Sequence, residues 1–276
     1  MAITETIELL GKGLYSGEIP DTLTLTSLPT VTELEYVGSE EFDKTMVEKI
    51  LPEAIVENID CKKLFWIDYL WVCRCLRILN YGPYVTVNAI GCPTCGLVKG
   101  EYTCDFRNVD CYPIPDGFTN DVVIRRDEFL DFDGDVHLGL LTMQGYLNAK
   151  IDKAFQDTRG ETNYALAQLC YTIKSIGTHT NLTPLQIKSI IQQELSSADY
   201  QVLMKVSKDL LDFGLRAAGA AACPTCGNTE ASFLAPISDL FSRPSLGDLK
   251  RWKHDRDSRK DDDISGSTPM DVRNDS

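Results

Sequence analysis

Four cysteines, set in two copies of one pentapeptide, are the residues best placed to do chemistry: Cys92-Pro93-Thr94-Cys95-Gly96 and Cys223-Pro224-Thr225-Cys226-Gly227. Two intervening residues let both sulfurs of a knuckle reach one tetrahedral ion, at about 2.3 Å for zinc. Proline presets φ in such a turn, and the following glycine tolerates the positive φ with which the chain leaves the ion. Cys92, Cys95, Cys223 and Cys226 together are expected to hold one structural Zn2+. A closed set of four thiolates keeps no position open for water or substrate. A redox pair or two unrelated turns are the alternatives. Cys104 and Cys111 are rival ligands for the first knuckle, which would leave the second unexplained. Cys61, Cys73, Cys75 and Cys170 lie in apolar stretches, where a thiol packs as a small hydrophobe.

Other candidate sites carry less. Asp131-Phe132-Asp133-Gly134-Asp135 resembles a calcium loop, but the glycine comes too early and the closing Glu is missing, so an Asp-Gly hairpin turn is expected. Gly11-Lys12-Gly13 lacks the strand, third glycine and hydroxyl of a phosphate loop and reads as a flexible entry. His137, His179 and His254 belong to no nucleophile motif, and no catalytic residue is assigned. The basic group Lys250, Arg251, Lys253 and Arg256 around Trp252 alternates with aspartates and reads as a solvated tail.

The chain has 276 residues, 43% hydrophobic and 25% charged, enough for one large or two modest domains. No run approaches the roughly 18 apolar residues of a membrane span, and the start is not patterned as a signal peptide. Ten cysteines then fit a reducing compartment. A formal charge of −14 opposes nucleic acid, whose binding relies on Lys and Arg.

Four segments must position the cysteines. Residues 1–30 read as an extended entry with a strand at Thr22 to Leu28. Residues 31–135 read as helices plus a zinc-ribbon β region. Its first helix is capped by Ser39, carries an apolar stripe of Phe42, Met46, Val47, Ile50 and Leu51, and is limited by Pro52. Lys62 to Leu79 is apolar on most faces, apart from Asp68, Arg74 and Arg77, and is expected to be a buried helix. Tyr84 to Ile90 and Val98 to Phe106 form the ribbon around the first knuckle. Asn120 to Arg126 and Val136 to Leu141 suggest a second hairpin. Residues 136–246 read as helical, with Met143 to Asp157, Glu161 to Ile176, Pro184 to Leu195 and Ala198 to Phe213, and lead to the second knuckle. Thr183, Pro184 and Gln186 form a capping box. Residues 247–276 are too polar to order. The fold class is α+β: a zinc-ribbon hairpin and short strands, with a mainly helical insert between two zinc knuckles.

In order, these pieces resemble the zinc-ribbon baseplate hub or hub-assembly proteins of T-even-type tailed bacteriophages. The resemblance rests on Gly13-Leu14-Tyr15 and Ile19-Pro20 at the entry, and on Asp68, Tyr69, Leu70 and Arg77 leading to Tyr81-Gly82. It continues through the first knuckle, the strand His137 to Thr142, the second knuckle and Phe241 to Pro244. It implies a non-enzymatic structural or assembly protein acting by contacts with other tail or baseplate proteins, and by self-association. Its place would be the virion tail or the host cytoplasm during assembly, with no nucleic acid bound. The competing expectation is a zinc-ribbon regulator of RNA polymerase or nucleic acid.

Overall fold

The computed structural model describes residues 3–29, 41–157, 159–215, 218–221, 223, 225–228, 231–234, 247 and 250–252. It is an α+β fold. Ser39 as a cap, Phe241 to Pro244 and the tail beyond Trp252 lie outside these residues.

The entry is more ordered than its composition suggests. Strand β1 (Thr4–Glu8) pairs antiparallel with β2 (Thr22–Thr26), and Ile7, Leu9, Tyr15, Ile19, Leu23 and Leu25 are all buried. The first helix comprises α1 (Phe42–Thr45), a π-helical turn Met46–Ile50, and α2 (Leu51–Ala54). The wide turn falls just before Pro52, where a regular helix would clash with the ring and lose a donor.

The buried helix is α3 (Trp66–Tyr81), four residues shorter at its start than the hydrophobic run. Leu64 and Phe65 are extended because their neighbourhood bonds the next layer. Trp66 N donates to Leu141 O at 2.7 Å, and Met143 N donates to Leu64 O at 2.8 Å. All three charged residues of α3, Asp68, Arg74 and Arg77, are buried, and each fastens another segment. The Asp68 carboxylate accepts from Leu10 N at 2.7 Å, Gly11 N at 3.1 Å and Tyr15 OH at 2.5 Å. Gly11 is therefore pinned rather than loose, and a Cβ there would sit 2.6 Å from Asp68 Oδ2. Arg77 donates to Gly82 O and Tyr84 O, and Arg74 to Phe106 O and Arg107 O. These arginines hold both ends of the ribbon's base.

Gly82, at φ +78°, ends α3. A Cβ on it would lie 2.4 Å from the Trp252 indole. Lys250, Arg251 and Trp252 are helical, so these residues depart from the disordered tail expected of 247–276. Strands β3 (Tyr84–Cys92) and β4 (Gly96–Asp105) form the expected ribbon, and β5 (Cys111–Tyr112) follows.

The second hairpin, β6 (Val122–Ile124) and β7 (Val136–Leu138), is present, but Asp133-Gly134 is not a tight turn at its tip. A long connection joins the strands, and a Cβ on Gly134 would meet Gly177 Cα at 2.7 Å. This glycine serves close backbone approach. The connection is held from α7, described below, by fully buried Asp199. Its carboxylate accepts from Leu130 N at 2.6 Å, Asp131 N at 3.2 Å, Phe132 N at 3.1 Å and Ser196 Oγ at 2.9 Å.

After α4 (Met143–Ile151) comes α5 (Tyr164–Thr172), which ends four residues before the expected limit. Ile173–Ile176 is instead strand β8, which pairs with β7 and, past Gly177, with β9 (His179–Thr180). β-Branched ends and an open strand edge outweigh the helical pattern here. The division at 135/136 therefore runs between paired strands, and the described core is one cluster. Helices α6 (Pro184–Glu194), with its capping box, and α7 (Ser197–Leu211) complete the insert. Gly214, at φ +85°, starts β10 (Gly214–Leu215), where a Cβ would lie 3.0 Å from Ile67 Cβ. Here the chain crosses close to α3 on its way to the second knuckle.

Asp199 sets an acid limit. Burial raises its pKa, but the bonds from Leu130, Ser196, Asp131 and Phe132 outweigh burial and hold it below the usual carboxylate value. A depressed folded pKa contributes stability that is present above the unfolded pKa, about 3.9, and is lost as pH falls through the folded value. Asp199→Asn is expected to melt below the parent at pH 7, with the gap narrowing towards pH 3. A constant gap in melts across that range would count against this assignment.

Candidate metal centre

Both knuckles sit at the same end of one four-stranded sheet, ordered β11-β12-β3-β4. The first is the turn between β3 and β4, closed by the Cys92 and Gly96 pair. The second joins β11 (Ala218–Ala221) to β12 (Ala231–Leu234). β12 then pairs with β3 through Ser232 with Gly91 and Phe233 with Ile90. Two antiparallel hairpins thus lie side by side, and their turns present four sulfurs to one point.

The ligand atoms of Cys92, Cys95, Cys223 and Cys226 all lie within 4.8 Å of one another. Cys92 Sγ is 3.6 Å from Cys226 Sγ, and Cys95 Sγ is 3.5 Å from Cys223 Sγ. A tetrahedron with arms of about 2.3 Å has edges of about 3.8 Å, whereas a disulfide would bring two sulfurs to about 2.05 Å. The spacing fits a four-coordinate metal. Among the described residues this is the one group of three or more His, Cys, Asp or Glu that converges so.

The turns supply what the sulfurs need. Gly96 and Gly227 take φ of +86° and +72°, as the pentapeptide requires. N–H groups of Cys95 and Thr94 point at Cys92 Sγ and lower its pKa. Those of Cys226 and Thr225 act likewise on Cys223, lowering it to about 6. Cys95 is pushed up to about 12 by its sulfur contacts with Cys92 and Cys223. A bound divalent cation removes that conflict, since it favours all four thiolates. Asn228 Nδ2 donates to Thr94 Oγ1 at 2.8 Å and links the two turns directly. Cys92 and Cys223 are buried, while Cys95 and Cys226 are exposed.

No family model matches the chain, and neither a curated protein nor a solved structure matches it.

The rival ligands are elsewhere. Cys104 is buried in β4 opposite Val85, and Cys111 lies in β5 opposite Leu215. Cys61, Cys73, Cys75 and Cys170 are buried, as their surroundings imply, and burial raises the pKa of each. His137 Nδ1 lies 3.1 Å from an Asp121 carboxylate oxygen, while His179 sits in β9. The Asn228 to Thr94 bond was beyond sequence reasoning, because its partners are 134 positions apart. No helix among the described residues is long and apolar enough to cross a membrane.

Proposed function

We propose that this chain is a non-enzymatic structural or assembly protein of a phage tail, building the baseplate or its hub through protein contacts, and that its metal is zinc. The four-cysteine centre carries this reading. Thiolate is the soft ligand that zinc prefers, and four of them in tetrahedral spacing close the coordination sphere. Such an ion fastens two hairpins and leaves no coordination position for a reaction. The resemblance in the order of motifs, from Gly13 through both knuckles, supplies the tail context. The charge of −14 favours recognition of proteins over phosphate backbones.

The test is twofold. Tagged full-length protein recovered from infected cells should bring down baseplate components, and mass spectrometry of purified particles would tell a retained subunit from an assembly factor that leaves. Alongside, DNA and RNA binding titrated across salt should stay weak. Tight binding that falls steeply with salt, without a tail partner, would instead favour the regulator of polymerase or nucleic acid.

A further inference from the structure

We propose that Cys95 and Cys226 are sites of oxidation by peroxide, and that oxidation ends in two disulfides crossing between the knuckles, Cys95–Cys223 and Cys92–Cys226. This rests on the metal-centre reading and concerns the regulation of that site.

Access and pairing carry it. Each knuckle offers one exposed cysteine, Cys95 or Cys226, and keeps the other buried, with Cys92 at 4% and Cys223 at 2% exposure. The contacts at 3.5 and 3.6 Å each join the sulfur of an exposed cysteine in one knuckle to that of a buried cysteine in the other. An oxidised Cys95 or Cys226 therefore already touches its resolving partner on the neighbouring hairpin. The thiols buried elsewhere lack that access: Cys61, Cys73, Cys75, Cys104 and Cys170 are all shielded from solvent.

The steps balance. The Cys95 thiolate attacks one peroxide oxygen, forming the S–O bond of a sulfenic acid while the O–O bond breaks and hydroxide leaves. The Cys223 thiolate then attacks that sulfur, forming the disulfide and expelling a second hydroxide. Cys226 and Cys92 repeat the sequence with a second peroxide. Four thiolates lose four electrons, two peroxides gain them, and four hydroxides form. With no thiolate left to bind it, the divalent ion is released. Because both disulfides span β3–β4 and β11–β12, the hairpins remain joined. Oxidation thus replaces one staple with another instead of opening the sheet.

Reduced full-length protein, its metal content measured first, is treated with hydrogen peroxide. A chromogenic chelator follows metal release, and non-reducing peptide mapping with fragmentation between the paired cysteines assigns the bonds. One metal released per two peroxides consumed, with 95–223 and 92–226 linkages, is expected. In-knuckle disulfides, sulfinic acids, or prior oxidation of Cys61 or Cys73 would overturn the proposal, as would thiols that survive with the metal retained. Reduced protein without metal would defeat the metal reading alone, since the linkage map would still decide the pairing.

Discussion

Chelating the metal, or replacing Cys223 with Ser, is expected to dismantle the four-stranded sheet while much of the helical insert survives. Purified protein should carry about one zinc per chain. In small zinc domains the apparent binding free energy is about 10–16 kcal/mol and appears directly as folding free energy, comparable to the whole stability of a domain. Among the described residues the hairpin β11–β12 pairs with β3 at two positions, Ser232 with Gly91 and Phe233 with Ile90, so the metal is expected to carry much of its attachment. Helices α4 to α7 retain their own buried residues, among them Met143, Leu169, Ile187 and Leu203. The expected melt has an early transition on chelator treatment, with most far-ultraviolet helical signal lost only later. A Cys223→Ser chain with unchanged metal content and an unchanged melt would remove the centre from the account. Stoichiometric iron in place of zinc would correct the metal's identity.

Asp68→Ala should be the most damaging substitution away from the metal. It strands Leu10 N, Gly11 N and Tyr15 OH, and unmet buried partners cost about 1–3 kcal/mol each. A total of about 3–5 kcal/mol corresponds to a melting temperature lower by on the order of 10 °C in a chain of this size. Asp68→Asn, which keeps an acceptor, should lose less. Burial outweighs the bonds from Tyr15, Gly11 and Leu10 and raises the Asp68 pKa. Its sign is therefore opposite to that of Asp199. A raised carboxyl pKa favours the fold at pH below the folded value, and this contribution is lost as pH rises through it. The Asp68→Ala gap should consequently be wider at pH 4 than at pH 8. A melt unchanged within 1 °C would show that the entry segment is held by its apolar residues alone.

The two carboxylates show what a sequence conveys and what it withholds. Asp68 is conspicuous as a charge in an apolar run, and that is enough to mark it. Its donors, however, lie 53 to 58 positions away, in a segment whose glycines suggest looseness. Asp199 reads as an ordinary acid in a helix's first turn, yet it fastens a loop 67 to 69 positions earlier. The knuckles were legible because their chemistry is local: two sulfurs, a proline and a glycine within five residues. Thr183 with Gln186 was legible for the same reason. Strand β11, Ala-Gly-Ala-Ala, has neither alternation nor β-branched residues, and it is a strand through pairing that composition cannot reveal. Strand β8 reads as helix in the sequence because its apolar ends, Ile173 and Ile176, also fit the helical period.

The distance along the chain between the two halves of the metal centre has a consequence for how the protein is made. Cys95 and Cys223 are 128 positions apart. A ribosome adding about 5–20 residues per second needs on the order of 10 s to travel from one to the other. Through that interval the first knuckle is a half-site with two thiols, and the ribbon has no β12 beside β3. An ion at this site could be enclosed only after all four helices of the insert have been synthesised. Closure at the metal therefore comes late, and a chain stalled anywhere in the insert is left with an incomplete site and an open strand edge. Zinc would act as a timer on translation, sealing only those chains that have passed through the whole insert.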